Sequence, residues 1–257
     1  VSVQFNVYYF HLLASLDPVT EYAIKNLYAG FDSSHSFSGL CCQKNTPRLA
    51  EPEGERIGQK GVGKSLALLI LGDSAAAGVG VNAQDDALFG SILKELSSEF
   101  SIQFYLQATT GFTTDQVIQS IQTLETQHFD VIITSVGVND ITKFTSPQAW
   151  IAKQKQLYDI LKHKFSPQLT IASGVPPMDQ FPALPNPLAW LFGQYAKEMN
   201  LKLGQFVAQQ NQMDWIEYDL KKFLALNLVM AEDGFHPSKE IYQFWGKQVA
   251  EKIRQSF

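Results

Sequence analysis

From residue 65 to the end of the chain, short apolar runs alternate with longer segments of helical periodicity. The apolar runs predict strands at 66–72, 102–108, 131–137, 168–174 and 214–220. The segments between and after them predict helices at 86–100, 113–126, 147–165, in a stretch ending near 210, and at 239–254. Strands and helices that take turns in this way form parallel βαβ units. We therefore expect an α/β fold whose open parallel sheet is covered by helices on both faces.

The first 64 residues differ from the rest of the chain. Residues 1–7 alternate apolar and polar side chains, which predicts a half-buried strand. The polar, turn-rich segment 45–64 is typical of a linker or of an arm that lies on the surface. We place the boundary near Lys64, so that 1–64 is an N-terminal extension of unknown role and 65–257 is the main domain.

Charge and hydropathy exclude two classes of partner. The net charge of −5 and the absence of a Lys/Arg-rich run argue against nucleic acid, which needs a basic surface. No uninterrupted apolar stretch reaches the roughly 18 residues of a transmembrane helix. We expect a soluble protein without a transmembrane segment.

The cysteines and the N-terminus leave the compartment open. Cys41 and Cys42 are adjacent, which disfavours a disulfide between them, and neither has the companions of a zinc site. The chain begins at Val1, which suggests a processed or truncated product, and residues 1–16 lack the features of a signal peptide. The compartment is therefore unknown: the protein could be cytoplasmic, or periplasmic or secreted if a leader preceded Val1.

Three short polar elements follow the first three predicted strands. Ser74 stands in Gly-Asp-Ser after the first strand, where a hydroxyl lies beside a helix N-terminus that favours developing negative charge. Gly111 follows the second strand and allows its N–H to approach a ligand. Asn139 follows the third and offers a neutral amide donor for an oxyanion. Each alone has a plain structural explanation: a helix cap, a turn glycine, an Asn-Asp turn.

A fourth polar element lies near the C-terminus. Asp233 and His236 are three residues apart in a turn, so the carboxylate can hold Nδ1–H and leave Nε2 to accept a proton from a serine. A solvated pair in a loop is the plain alternative. The other four histidines have no comparable setting, and we give each a structural role; they are His11, His35, His128 and His163.

Together these four elements, in this order, resemble the sequence blocks of the GDSL or SGNH hydrolase family over roughly residues 66–252. The first block reads GDSA instead of GDSL, a difference at a flanking position. The resemblance implies a three-layer α/β/α sandwich with a flavodoxin-like parallel sheet of about five strands. It also implies a serine esterase without metal or organic cofactor.

The resemblance also implies roles for individual residues. Ser74 would be the nucleophile and His236 the general base, with Asp233 orienting the imidazole. The N–H groups of Ser74 and Gly111 and the amide of Asn139 would form the oxyanion hole. The substrate would be a small-molecule or lipid-like ester.

The loop 174–190 after the fourth strand is rich in apolar residues. Met178, Phe181 and Leu184 could line an acyl pocket or could pack under the following helix. The apolar loop favours short to medium acyl chains over a charged substrate. Lysophospholipid, thioester and acetylated-sugar substrates stay open, as do transfer to an alcohol acceptor and the oligomeric state.

A competing motif, GQKGVGKS at 58–65, matches the pattern of a phosphate-binding P-loop and would make the protein an NTPase. A P-loop needs a strand before its glycines and a helix after them, so that helix N–H groups point at the phosphate. Here a polar segment precedes the motif and the predicted strand 66–72 follows it. We therefore favour a glycine-rich linker.

Overall fold

In the computed structural model, the residues described are 47–218 and 220–257. The predicted strand at 1–7 and the two cysteines lie outside the described residues. Among the described residues, the central feature is a six-stranded sheet with strands β1 (Ile57–Lys60), β2 (Lys64–Gly72), β3 (Phe100–Ala108), β4 (Val131–Ser135), β5 (Leu169–Ser173) and β6 (Met213–Ile216). Their order in the sheet is β1-β3-β2-β4-β5-β6.

The five strands from β2 to β6 are parallel and confirm the predicted α/β fold. If these five strands alone are numbered 1 to 5 along the chain, their order in the sheet is 2-1-3-4-5, which is the order of a flavodoxin-like sheet. In that order β2 and β4 lie side by side where the direction of chain winding reverses. Loops that leave the carboxyl ends of such strands surround the ligand site.

Strand β1 was not predicted, and it pairs antiparallel with the outer edge of β3. Its sequence IGQK is mostly exposed and gives no apolar run. An edge strand is held by backbone hydrogen bonds on one side, so it needs no apolar pattern. Residues 56–60 of the predicted arm thus pair with the edge of β3, while the domain boundary at Lys64 stays a prediction.

The described α-helices are α1 (Ser74–Ala77), α2 (Leu88–Leu96), α3 (Thr114–Gln122), α4 (Val138–Thr142), α5 (Pro147–Phe165), α6 (Leu188–Val207), α7 (Leu220–Ala225) and α8 (Lys239–Ser256). Of these, α2, α3, α5, α6 and α8 lie close to their predicted positions. The predicted strand 214–220 was too long, because β6 ends at Ile216 and α7 begins at Leu220. None of the described helices is both long and apolar enough to span a bilayer.

Two hydrophobic cores cover the two faces of the sheet. Leu69 and Leu71 of β2 belong to the core formed with α3, α5 and α6. Leu68 and Ile70 of the same strand belong to the core formed with α2 and α8. Because successive side chains of a strand point to opposite faces, burial of both faces explains the unbroken apolar run of β2.

The P-loop interpretation of 58–65 is wrong. Residues 61–63 form the turn between β1 and β2, and the residues after the glycines continue as a strand. The ammonium of Lys64 donates to the carbonyl of Phe257 at 3.3 Å, at the opposite end of β2 from Ser74. Without a following helix, no row of N–H groups points at the loop to bind phosphate.

Candidate active site

The carboxyl ends of β2, β3 and β4 lie side by side and bring three of the polar elements to one edge of the sheet. Gly72 is in register with Ala108 on one side and with Ser135 on the other. The loops that carry Ser74, Gly111 and Asn139 therefore begin next to one another. This juxtaposition follows from the strand order and not from the sequence separation.

Ser74 is the first residue of α1, and a tight turn places it there. The N–H of Asp73 donates to the carbonyl of Ser135 at 3.1 Å, so the turn is joined to β4. A Cβ at Gly72 would lie 2.1 Å from that same carbonyl oxygen, so only glycine fits. The cap of α1 is Asp73, whose carboxylate accepts the N–H of Ala75 at 3.1 Å. Ser74 is therefore not the capping residue that its sequence position allowed.

The turn that carries His236 is organised by one carboxylate. Oδ1 of Asp233 accepts the backbone N–H groups of Phe235 and His236, both at 2.9 Å. Oδ2 of the same carboxylate lies 2.5 Å from Nδ1 of His236. The second ring nitrogen, Nε2, lies 2.9 Å from Oγ of Ser74. Ser74, His236 and Asp233 thus form one hydrogen-bonded chain.

The electrostatics of this chain favour an ionised carboxylate. Burial alone raises the pKa of Asp233, but hydrogen bonds from the His236 ring and from two backbone N–H groups outweigh it and lower the pKa. An ionised Asp233 accepts the hydrogen of Nδ1, which leaves Nε2 as an acceptor. The arrangement can therefore withdraw a proton from the Ser74 hydroxyl.

Asp73, next to the serine, has a different environment. Its side chain is almost fully buried, and this burial raises its pKa to about 7. The N–H of Ala75 and the nearby His236 act in the opposite direction, while Asp140 adds to the rise. Near neutral pH, this carboxyl is therefore partly protonated.

Gly111 and Asn139 lie on neighbouring loops that one hydrogen bond joins. Gly111 has a φ of +85° in the turn after β3, a conformation that favours glycine. Asn139 begins α4 one residue after Val138 and donates one amide hydrogen to the carbonyl of Phe112 at 3.0 Å. Its amide carries a second hydrogen that this contact does not use.

Asp140 has a structural part in the site that sequence reasoning did not assign. It is fully buried, and its Oδ2 accepts both the N–H and the hydroxyl of Thr114 at 2.9 Å. Gln154 donates to the same hydroxyl at 2.9 Å. These bonds fix the first turn of α3 against α4. The signal available in the sequence was the position of Asp140 directly after Asn139.

A cleft with about 520 Å³ of empty space, including its solvent-open mouth, lies beside Ser74 and His236. Its walls are mostly apolar, and Phe181 and Phe235 meet there edge to face at 5.1 Å. Two lining residues that sequence reasoning missed, Tyr218 and Trp245, come from beyond β6 and from α8. The other apolar side chains of the lining include Val136, Val138, Val175 and Met230.

Of Met178 and Phe181, the two residues expected to contact substrate, only Phe181 lies in the cleft. Phe181 lines the cleft, whereas Met178 does not. Met178 is fully buried in the core between the sheet and α6, as Leu184 also nearly is. Within the described residues, no cluster of three or more His, Cys, Asp or Glu side chains could hold a metal ion.

Residues 70–244 match the model of the GDSL-like lipase/acylhydrolase family. No curated protein matches the chain. A member of the lipolytic G-D-S-L family from Veillonella parvula is 16% identical over 74% of this chain and 98% of its own, with a TM-score of 0.59.

Two further solved structures have the same fold. An extracellular lipase from Streptomyces rimosus is 15% identical over 75% of this chain and 100% of its own, with a TM-score of 0.54. An acetylxylan esterase from Geobacillus stearothermophilus is 13% identical over 76% of this chain and 94% of its own, with a TM-score of 0.52. At such identities the likeness shows the fold alone.

Proposed function

The chain belongs to the GDSL-like lipase/acylhydrolase family and is a hydrolase of ester bonds, and from this premise we propose that it cleaves carboxylic esters through an acyl-enzyme on Ser74. One observation carries the proposal. Ser74 Oγ and His236 Nε2 lie 2.9 Å apart although 162 residues separate them in sequence, and Asp233 holds the other ring nitrogen. A nucleophile, a base and an orienting carboxylate in this geometry are what serine hydrolysis requires.

In the first half of the reaction, Oγ of Ser74 attacks the ester carbonyl while Nε2 of His236 takes the hydroxyl proton. The carbonyl π electrons move to the oxygen, which becomes an oxyanion. His236 then gives the proton to the leaving alcohol, and the C–O bond of the ester breaks. Asp233 stabilises the imidazolium that exists between these two proton transfers.

In the second half, water attacks the acyl-enzyme, and His236 accepts a proton from that water. Collapse of the second oxyanion breaks the bond to Oγ, which takes the proton back from His236 and releases the acid. The N–H groups of Ser74 and Gly111 and the amide of Asn139 stabilise both oxyanions. Ser74 contributes through its position as the first residue of α1, where the N–H has no acceptor within the helix.

The cleft supports short to medium acyl chains as the acid half of the substrate. Its apolar lining, which includes Val175, Phe181 and Phe235, favours an alkyl chain over a charged group. Lysophospholipids and thioesters carry acyl groups of the same kind, and both remain alternatives on this site. Transfer of the acyl group to an alcohol in place of water is a further alternative, since the first half of the reaction is the same.

The test is hydrolysis of p-nitrophenyl esters of increasing chain length together with labelling by a fluorophosphonate. We expect hydrolysis, fastest with short or medium chains, and covalent labelling at Ser74. Ser74→Ala should abolish labelling and lower kcat by at least about 10⁴-fold, because the nucleophile is lost. The same assay with added alcohols detects transfer by the formation of new esters.

The matched control is Ser91→Ala. Ser91 is also buried, but it lies on α2 and its hydroxyl has no hydrogen-bond partner among the described residues. This variant should keep wild-type kcat and labelling. A folded Ser74→Ala variant with full activity would overturn the proposal.

A further inference from the structure

The segment from Glu51 to β1 lies outside the region that matches the family, 70–244, yet it contacts the site. It runs along the outer edge of β3 and reaches the loop that follows this strand. The sequence assigned no role to it. Two of its hydrogen bonds go from Thr110, the residue directly before Gly111, to the Glu51 carboxylate, while the backbone of Glu53 bonds to Asn82 and Gln84.

One carboxylate joins this segment to the loop. Oε1 of Glu51 accepts the N–H of Thr110 at 2.8 Å and the Thr110 hydroxyl at 2.7 Å. Oε2 accepts Nη1 of Arg56 at 2.8 Å. Both oxygens of the carboxylate are therefore occupied, one by the loop and one by the guanidinium.

Arg56 is itself fixed on the end of β3. Its Nε donates to the carbonyl of Leu106 at 3.4 Å, and its Nη2 donates to the carbonyl of Ala108. Its backbone carbonyl accepts the N–H of Leu106 at 2.7 Å. Through Arg56, the position of Glu51 is tied to the strand from which the loop departs.

The charge state of Glu51 suits this role. Partial burial alone would raise its pKa, but the hydrogen bonds from Thr110 and Arg56 outweigh burial and hold the pKa below its usual value. The carboxylate is thus ionised at neutral pH. Charge-assisted hydrogen bonds of this kind are about twice as strong as neutral ones.

The turn that contains Gly111 is also closed by a backbone bond, in which the N–H of Phe112 donates to the carbonyl of Thr109 at 3.2 Å. Apart from Gly111 itself and its two chain neighbours, no described residue has an atom within 4 Å of the point where a Cβ would stand. The described residues provide no acceptor for its N–H, and its φ of +85° is one of many that a glycine can adopt. The peptide between Thr110 and Gly111 lies inside the turn closed by the bond from Phe112 to Thr109, and the hydrogen bonds to Glu51 hold its Thr110 side.

We propose that Glu51, oriented by Arg56, is a positioning residue that holds the Gly111 N–H toward the oxyanion. The inference rests on the proposed function, because it concerns the oxyanion hole of that reaction. Glu51 contacts the loop and not the reacting atoms. It gives the segment before β1 a part in catalysis.

The expected effect falls on kcat. An oxyanion forms in the transition state and not in the bound ester, so a displaced donor slows the chemical step and leaves KM almost unchanged. Loss of a donor costs about 100- to 1,000-fold in kcat. We expect Glu51→Ala to lower kcat by about 10- to 100-fold, since the donor is displaced and not removed.

The experiment measures kcat and KM for p-nitrophenyl acetate, and the rate of fluorophosphonate labelling, for folded variants well below their melting temperatures. Glu51→Gln keeps an oxygen that accepts from Thr110 and should recover most of the activity lost in Glu51→Ala. Glu53→Ala is the matched control, because Glu53 is an exposed carboxylate of the same segment. It should keep wild-type kcat.

Wild-type kcat and labelling in Glu51→Ala would overturn the inference, as would a raised KM with unchanged kcat. If Glu51→Ala does not fold, Thr110→Val tests the inference instead, because it removes only the hydrogen bond from the Thr110 hydroxyl to Glu51. A several-fold drop in kcat would support the inference, and wild-type kcat would overturn it. A wild-type protein that neither hydrolyses esters nor is labelled refutes the proposed function, and the inference falls with it. An active wild type with unaffected variants refutes the inference alone.

Discussion

Asp73 and Ser74 are neighbours in sequence, but different surroundings give them different tasks. Asp73 points into the protein, caps α1 and is almost fully buried. Ser74 points toward the imidazole of His236. The carboxylate that supports the imidazole is Asp233, which is also buried but whose hydrogen bonds lower its pKa. Near neutral pH, Asp233 is therefore ionised, whereas Asp73 is partly protonated.

Asp73 makes stability depend on pH in a predictable direction. Its folded pKa of about 7 lies above the ordinary value of 3.8, so between these values the folded state binds more protons than the unfolded state. Stability is therefore lost as pH rises from about 4 to about 7, by on the order of a few kcal/mol. Asp73→Asn removes this penalty and keeps an oxygen to accept from Ala75.

We expect Asp73→Asn to raise the melting temperature relative to wild type, and to raise it more at pH 8 than at pH 4. Thermal melts at both pH values measure the difference. Asp85→Asn, at an exposed position with 70% of its side chain accessible, removes the same charge and serves as the control. An Asp73→Asn difference that is equal at both pH values would contradict the prediction.

At the scale of elements, the junction of β2 with α1 sets the direction of the Ser74 side chain. The carbonyl of Ser135 on β4 accepts the N–H of Asp73 and leaves no space for a Cβ at Gly72. The strand end, the turn and the helix start are therefore fixed to the neighbouring strand. The backbone of this turn can therefore move little without breaking the hydrogen bond from Asp73 to Ser135 or changing the close contact between Gly72 and the Ser135 carbonyl.

Gly72→Ala should disturb stability and activity together. The added methyl would overlap the Ser135 carbonyl and the Ala76 side chain, and relief requires a shift of the turn. We expect a loss of about 1–3 kcal/mol in the free energy of unfolding. We also expect kcat to fall at least about tenfold, because a shift of the order of 1 Å misplaces the nucleophile.

Urea unfolding and p-nitrophenyl acetate kinetics measure these two effects. A variant with wild-type stability and kcat would show that the turn tolerates the methyl without moving Ser74. A loss of stability with unchanged kcat would show that the strain is relieved away from the site. Either result would contradict the coupling that the structure implies.

At the scale of the whole molecule, two cores on opposite faces of the sheet make this a three-layer structure. Adjacent residues of β2, Leu69 and Ile70, belong to different cores and are both fully buried. A sheet with one solvated face would bury only one of them. The alternation of strands and helices in the sequence predicted this arrangement.

Leu69→Ala and Ile70→Ala should therefore destabilise the protein to a similar degree. Each removes buried methyl groups from a packed core, at a cost of about 2–5 kcal/mol in the free energy of unfolding. Leu201→Ala, at a position that is 62% exposed, is the control and should change stability by less than about 0.5 kcal/mol. A small effect at either Leu69 or Ile70, measured by urea unfolding, would contradict burial of that face.

The sequence alone was enough to predict the parallel α/β fold and to identify Ser74, Gly111, Asn139, Asp233 and His236 as candidates. These follow from local patterns: apolar runs with helical segments between them, and polar residues at strand ends. It did not reveal β1, whose exposed edge position needs no apolar pattern, or the end of β6 before α7.

Which polar residues meet depends on the tertiary structure. The 2.9 Å contact between Ser74 and His236 joins residues 162 positions apart, and the bond from Glu51 to Thr110 joins residues 59 positions apart. The tertiary structure also places Phe181 in the cleft and Met178 in the core, although these residues are only three positions apart. The physical reason is that such contacts depend on strand order and helix packing, which many residues fix jointly and no short motif encodes.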